Sequence, residues 1–406
     1  MPWVTPWAPD RAELDSCVTC GLCLPFCPTF RLTGDETASP RGRLTAMAAV
    51  GAGEAEMDER FFEMMAFCLQ CRACEAVCPS MVPYGKLQEG VRAEILAADP
   101  KPRRIVRRLV LGRALASRPA VHLASLGIAV AQRSGATRLL PGAAGRMASG
   151  MRTVPLPVPS TVGRSWRPDG EPVGTVGLLS GCVMDPWFAD VHEALIQILR
   201  TAGYVVEAPA GQVCCGALAA HDGAAYDAAR MAAANVEAFA GYDAVVVDSA
   251  GCGAHLKDYG HWTDGGGDLA ARVRDATEFV AHLIDEGALP TLPPGRGRVA
   301  VQDPCHLRHA QRIVAEPRTV LVAAGYEPIE IDEQALCCGA AGVYGLSYPE
   351  TSGELGRRKA DQVRAAGVSL VASANPGCEL QMRSHLGPEI RVAHPVELYW
   401  EALAER

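Results

Sequence analysis

Beyond residue 172, short runs of β-branched and other apolar residues alternate with longer stretches whose apolar positions recur every three or four residues. The runs leading to positions 182, 252, 305 and 378 predict strands, and segments such as 191–202 and 355–366 predict amphipathic helices. Strand–helix alternation at this length predicts small α/β units with mostly parallel sheets. Before residue 100 the pattern is helical, at 43–50 and again at 57–67.

The chain then repeats itself. One unit runs from VGLLSGC182 through VCCG216 and AVVVDSAGC252 to about residue 287, and a second from VAVQDPC305 through LCCG339 and SANPGC378 to the end. Cys182 and Cys214 are separated by 31 residues, as are Cys305 and Cys337. The next gaps, Cys215 to Cys252 and Cys338 to Cys378, are 36 and 39 residues. Such spacing through otherwise diverged sequence points to one duplicated fold. The expected organisation is therefore residues 1–100, a connecting segment 101–172, a first unit 173–292 and a second unit 293–406.

The connecting segment changes the charge picture. Residues 101–168 contain 13 Lys or Arg and no Asp or Glu, in a chain of net charge −8. Arg103-Arg104 and Arg107-Arg108 alternate with Ile105-Val106 and Leu109-Val110, which gives a helix one basic and one apolar face. Residues 153–172, rich in Pro, Ser and Gly, read as a linker. Two readings fit the basic stretch: a solvated connector, or a docking element for an acidic partner surface or anionic lipid headgroups. The net negative charge of the whole chain argues against nucleic-acid binding. The most apolar stretch, near 120–131, is too short to span a bilayer. With no signal-like N-terminus, the expected location is cytoplasmic, with peripheral membrane association following from the docking reading.

All 16 cysteines fall into two repeated patterns. Cys17-x2-Cys20-x2-Cys23-x3-Cys27-Pro28 and Cys68-x2-Cys71-x2-Cys74-x3-Cys78-Pro79 have the spacing of bacterial two-cluster ferredoxins. Three thiolates per run wrap one iron–sulfur core, and the fourth reaches the neighbouring core. One [4Fe–4S] cluster is expected on Cys17, Cys20, Cys23 and Cys78, the other on Cys68, Cys71, Cys74 and Cys27. Structural zinc prefers separated cysteine pairs and fits these runs poorly. The fold expected is thus α/β overall: an α-helical bacterial-type two-[4Fe–4S] ferredoxin domain, then two duplicated units containing the sequence CCG.

Each unit supplies four more thiols: Cys182, Cys214, Cys215 and Cys252, then Cys305, Cys337, Cys338 and Cys378. Adjacent cysteines diverge too much for one tetrahedral zinc. They leave three readings open: one or two further Fe–S clusters, a redox-active dithiol, or a structural site.

Two ferredoxin motifs followed by two CCG units resemble the iron–sulfur subunits of flavin-linked 2-hydroxyacid dehydrogenases. Gly34-Asp35-Glu36 with Pro40-Arg41-Gly42-Arg43, Ser249–Ala254 leading into Lys257-Asp258-Tyr259-Gly260, and Ala374–Cys378 are similar to the glycolate oxidase iron–sulfur subunit family in particular. The resemblance implies FAD-binding partner subunits that oxidise glycolate to glyoxylate, FAD in those partners only, and electrons passed through this chain to a quinone or other acceptor. No catalytic residue is expected here, since the substrate site would lie on a partner. An equivalent subunit for D-lactate or glycerol-3-phosphate oxidation is the nearest alternative. A thiol–disulfide enzyme like heterodisulfide reductase is a further one, and a zinc-dependent structural module a third. Heterodisulfide reductase catalytic subunits carry a fifth cysteine three residues after the last, where this chain has His255 and Gln381.

No glycine-rich dinucleotide or phosphate-loop motif follows a strand. His255 is expected to be a surface histidine or one that supports a ligand rather than a ligand itself; His306 and His394, which could serve as proton donors or support a ligand, are expected to be structural, and Asp303 to shape the turn before Pro304.

Overall fold

The computed structural model describes residues 3–99, 101–332 and 336–406; the side chain of Arg103, part of the expected basic face, lies outside the described residues.

Each repeat folds around its own sheet. The first contains β1 (Arg164–Trp166), β2 (Gly174–Leu178), β3 (Tyr204–Ala208), β4 (Ala244–Val247) and β5 (Val273–Asp275), in the order β1-β3-β2-β4-β5. The second contains β6 (Arg298–Val301), β7 (Glu327–Glu330), β8 (Leu370–Ala372) and β9 (Arg391–Ala393), in the order β7-β6-β8-β9. The duplication is plain in this topology, because β3-β2-β4-β5 and β7-β6-β8-β9 are the same parallel arrangement. Val176 sits between Val206 and Ala244 in one sheet, as Ala300 sits between Ile329 and Val371 in the other. β1 differs from expectation: it lies inside the supposed linker and adds an antiparallel edge through Ser165 opposite Glu207. A short edge strand of this kind caps exposed ladder groups of β3.

The final helix of each repeat starts with the same device. Asp275 accepts from Thr277 N at 2.8 Å while Glu278 accepts from Asp275 N at 3.1 Å, opening Ala276–Asp285. His394 Nδ1 accepts from Val396 N at 3.2 Å while Glu397 accepts from His394 N at 2.8 Å, opening Pro395–Ala404. The repeats share one core: Val191, Leu195, Phe279 and Val280 of the first are buried with Val320, Val396 and Tyr399 of the second. Helix Ala189–Thr201 packs on Pro395–Ala404, and Ala276–Asp285 on Ala315–Ala323.

Residues 3–99 are helical, with Pro40–Ala52, Glu59–Ala66 and Tyr84–Ala98 around Met47, Met65, Leu87 and Val91. The basic segment forms Pro102–Arg108, a wider turn at Leu109–Ala114 and the helix Arg118–Arg133. Arg104, Arg107, Arg108 and Arg152 pair with carboxylates of their own chain. Arg104 pairs with Asp99 at 2.5 Å, Arg107 with Asp222, and Arg108 with Asp227 at 2.9 Å. Arg152 bridges the buried carboxylates of Glu379 at 2.6 Å and Glu397 at 2.7 Å. These described charges tie the segment to its own chain, and the apolar face of Ile105, Val106, Leu109 and Val110 is what faces solvent. Among the described residues no single helix is long and apolar enough to cross a membrane. A bent pair, Arg104–Ala114 with Arg118–Arg133 at 102°, passes that test only when taken together.

Candidate iron–sulfur centres

The two N-terminal cysteine runs adopt the same backbone. Thr19 (φ 54°) and Gly21 (φ 84°) in the first correspond to Gln70 (φ 54°) and Arg72 (φ 60°) in the second. Three of these four are not glycine, and each costs about 1 kcal/mol or more in this region. Two loops that hold the same unfavourable turns are wrapped around something the turns accommodate. Cys17, Cys20, Cys23, Cys74 and Cys78 line a mostly apolar hollow, with Val18, Leu22, Leu44 and Val82 in its wall. Cys27, Cys68 and Cys71 are buried. Burial pushes the Cys71 and Cys74 thiols well up, with neighbouring thiols adding to it, and raises Cys23 to about 11. Thiols held this way bind metal only by giving up protons.

Donors already point at several of these sulfurs. Gln70 N lies 3.4 Å from Cys68 Sγ and the Tyr84 hydroxyl 3.6 Å from it, and Thr29 Oγ1 is 3.3 Å from Cys27 Sγ. Arg43 is fully buried beside them, donating to Met64 O and Ala38 O at 2.8 Å each. Burial opposes its charge, but Tyr84, Cys68 and Cys27 outweigh that and hold it protonated. A fixed cation here offsets the negative charge of thiolate ligation. The motif residues around it are structural: Gly34 ends a helix at φ 67°, Asp35 caps the next turn through Thr37 N at 2.8 Å, and Glu36 holds Arg41 at 2.7 Å.

Each CCG unit brings its four thiols to the carboxyl ends of its strands, where parallel sheets gather ligands. Cys214 lies 3.4 Å from Cys182, Cys215 lies 3.2 Å from Cys252, and Cys338 lies 3.3 Å from Cys378. The Cys337 thiol is a hydrogen-bonding neighbour of the Cys305 thiol, both being free. Bonds from neighbouring thiols hold Cys214 down in one quartet and Cys338 in the other, so the favoured thiolate switches between first and second cysteine of the pair. The following glycines are obligatory: Gly216 (φ 94°) and Gly339 (φ 88°) are left-handed, and a Cβ on Gly339 would meet Ser352 O at 2.7 Å. Among the described residues no three His, Cys, Asp or Glu side chains are grouped to hold a single metal ion. That disfavours one zinc per quartet and leaves room for a multi-iron core.

The second cysteine loop is lodged where both CCG units meet. His306 Nε2 is 3.0 Å from Gln70 O, Gln70 donates to His221 O at 2.8 Å, and Arg72 pairs with Asp258 at 2.5 Å. Leu69, Cys71 and Ala73 are buried with Cys337 and Tyr344, and Cys305 packs against the same cluster. The seam between the units is closed by Asn375, which accepts from Gly251 N at 3.1 Å and donates to Cys378 Sγ at 3.5 Å. The first loop instead reaches the surface, where Cys20 is exposed together with its neighbours Val18 (68% exposed) and Leu22 (56%).

Two polar residues, His255 and Asp303, differ from expectation. His255 is buried with no hydrogen-bond partner for Nε2, its ring beside His221 and Trp262, and burial lowers it to about 4. Asp303 is an ion-pair hub for Arg308 at 2.7 Å and Arg318 at 2.9 Å, rather than a turn former. His394 caps a helix. His221 and Glu89, paired at 2.7 Å, carry no spacing signal in the sequence, and Arg43 is marked there only as part of the Pro40–Arg43 motif.

Residues 13–82 match the family model for a 4Fe-4S dicluster domain, and 176–257 and 299–383 each match a cysteine-rich domain. The chain is 34% identical over 98% of its length to the "Probable glycolate oxidase iron-sulfur subunit" of Bacillus subtilis, covering 96% of that protein. It is 31% identical over 96% of its length to the "Glycolate oxidase iron-sulfur subunit" of Escherichia coli, covering 94% of it. The chain belongs to the glycolate oxidase iron–sulfur subunit family. Lactate utilization protein A of Oceanobacillus iheyensis is similar over 55% of the chain at 27% identity, covering 95% of that protein. Members of this group are iron–sulfur subunits of redox complexes, so the role of this family member is electron transfer, with partner subunits implied. The strained twin loops and buried thiols fit iron–sulfur clusters.

Proposed function

We propose that this chain is the electron-transfer subunit of a flavin-dependent glycolate dehydrogenase. FAD in partner subunits takes two electrons from glycolate, giving glyoxylate, and this chain passes them on singly. When bound, the clusters supply one-electron storage at potentials set by their surroundings. Cys17, Cys20, Cys23 and Cys78 would hold the first, and Cys68, Cys71, Cys74 and Cys27 the second. The two CCG quartets would hold further clusters.

The observation that carries this reading is the lodging of Cys71 against Cys305, which joins the ferredoxin part to a CCG quartet in one continuous interior. Val18 and Leu22, exposed apolar residues beside the first site, suit docking of the flavin subunit, since exposed apolar side chains at a functional site mark interfaces. Entry at the surface site, passage through the buried one and onward transfer into the CCG quartets follows the burial gradient.

The test is anaerobic co-purification with the flavoproteins, followed by EPR after adding glycolate or D-lactate. Glycolate-driven reduction of this chain's clusters is expected. Reduction by D-lactate alone would reassign the substrate, and an iron-free protein would end the reading.

A further inference from the structure

Three of the four cysteine sites border one polar cavity. It lies where the second ferredoxin loop meets both CCG units, and each site lends it part of a wall. Gln70 and Arg72 come from the loop between Cys68 and Cys74. His255 comes from the helix Ala250–Lys257 that carries Cys252, and His306 follows Cys305. Glu89, on Tyr84–Ala98, and His221 complete it.

At its centre His221 Nδ1 stands 2.7 Å from the Glu89 carboxylate. Burial opposes the charge on Glu89, yet the bond from His221 and its charged neighbours outweigh this and hold the carboxyl down to about 2. The charged groups around the pair are Arg72, with its partners Glu75 and Asp258, and Arg92, which donates to His221 O. The titratable ones are His255, His306 and His261, all held low chiefly by burial. The His221 ring lies 5.3 Å from that of His306 and 6.4 Å from that of His255.

Two observations set this cavity apart from a structural ion cluster. Buried polar atoms in such a cluster are satisfied, whereas Gln70 Oε1 and His255 Nε2, in residues only 5% and 3% exposed, have no hydrogen-bond partner. The cavity also reaches water, because the side chain of His221 keeps 25% of its surface exposed and that of Asp258 47%. An electron entering any of the three sites adds negative charge where screening is weak, and a proton on an imidazole offsets it.

We propose that the His221–Glu89 pair is a proton-loading site for the relay. When an electron arrives at an adjoining site, His221 takes one proton from water at the exposed edge, and the Glu89 carboxylate stabilises the imidazolium. When the electron moves on, that proton returns to water. The proposal rests on the reading of this chain as an iron–sulfur relay and adds a proton to the electron it carries.

The test uses the full chain, loaded with iron and titrated anaerobically with mediator dyes from pH 6 to 9, with cluster signals read by EPR. At least one midpoint potential should fall with pH, approaching ~59 mV per unit, the one-electron equivalent of a tenfold change in proton concentration. Glu89→Gln, which keeps a hydrogen-bonding group beside His221, and His221→Gln should each flatten that slope while iron content and EPR line shapes stay at wild-type values. His192→Gln, which alters a buried histidine outside the cavity, should leave the slope in place. The reduced-minus-oxidised infrared spectrum of the wild-type chain should show an imidazolium band that shifts on isotopic labelling of histidine. Potentials independent of pH in the iron-loaded wild-type chain would overturn the proposal, as would a slope that survives in both cavity variants. Should both variants lose iron, the wild-type infrared spectrum decides, and absence of the band overturns the proposal. Iron-free wild-type protein would sink the relay reading and the proposal with it, whereas a pH-independent potential would sink the proposal alone.

Discussion

Cys71, from the second ferredoxin loop, lies beside Cys305, from the second CCG unit, and after burial Cys305 is the largest influence raising the Cys71 thiol. Two ligands from domains more than two hundred residues apart in sequence are thus neighbours. Cys305→Ala should remove the iron held at that quartet and leave about eight irons in the ferredoxin pair. The broadening that a nearby paramagnet imposes on the second cluster's EPR signal should vanish as well. An unchanged spectrum with unchanged iron would show that the quartet binds none.

Arg43 is a buried cation between Cys27 and Cys68, and its loss should make the second cluster harder to reduce. We expect Arg43→Met to lower that potential by tens of millivolts, where ~59 mV is a tenfold change for one electron. Arg43→Lys should restore part of the shift, because charge returns without the fork of donors. Redox titration followed by EPR reads both. The Met variant also strands the Met64 carbonyl, at about 1–3 kcal/mol, while Ala38 O keeps the Thr29 hydroxyl at 2.7 Å.

Stability should fall on both sides of a maximum near pH 6.5. His192, bonded to Asp248 at 2.6 Å, is opposed by burial but raised overall by that carboxylate, to about 9. The folded state therefore holds a proton that the unfolded state releases, and this contribution is lost as pH rises from 6.5 through 9. Burial lowers His255 and His394 to about 4, and His306 to about 3. There the unfolded state gains protons first, so stability drops as pH falls below 6.5. Anaerobic denaturant titrations from pH 5 to 9 test both limbs, and His192→Gln should flatten the alkaline one.

Gly339→Ala should empty the second quartet selectively. The substitution forces a left-handed alanine and drives Cβ into Ser352 O and Leu355 Cβ, at 2.7 and 2.9 Å. A cost of about 2 kcal/mol or more is expected, concentrated at the CCG turn. Gly34→Ala, also left-handed but with nothing within 4 Å, should cost about 1 kcal/mol and keep all iron. Iron analysis with thermal melts separates the two.

The cysteine runs and the duplicated strand pattern made most of this molecule legible, because ligand spacing and period-two alternation are local properties. Spacing through Cys182, Cys214 and Cys252 located the quartets without any tertiary knowledge. What stayed hidden depends on contacts between distant segments. The lodging of Gln70 beneath His221 and His306 leaves no local mark. The alternating pairs Arg103-Arg104 and Ile105-Val106 announced a two-faced helix but not which face turned inward. Asp222 and Asp227, over a hundred residues away, decided that. β1 was invisible because three residues of a Pro-rich stretch become a strand only when β3 offers an open edge.

The pairing of helix Ala189–Thr201 with Pro395–Ala404, and of Ala276–Asp285 with Ala315–Ala323, is reciprocal: the first helix of each repeat meets the last helix of the other. That is the contact a single unit makes with its own copy about a two-fold axis. Tethering the copies in one polypeptide removed the obligation to be alike. Halves related by rotation could then diverge, one quartet turning toward the ferredoxin loop and the other toward an open pocket, which gives a symmetric ancestor's scaffold a direction.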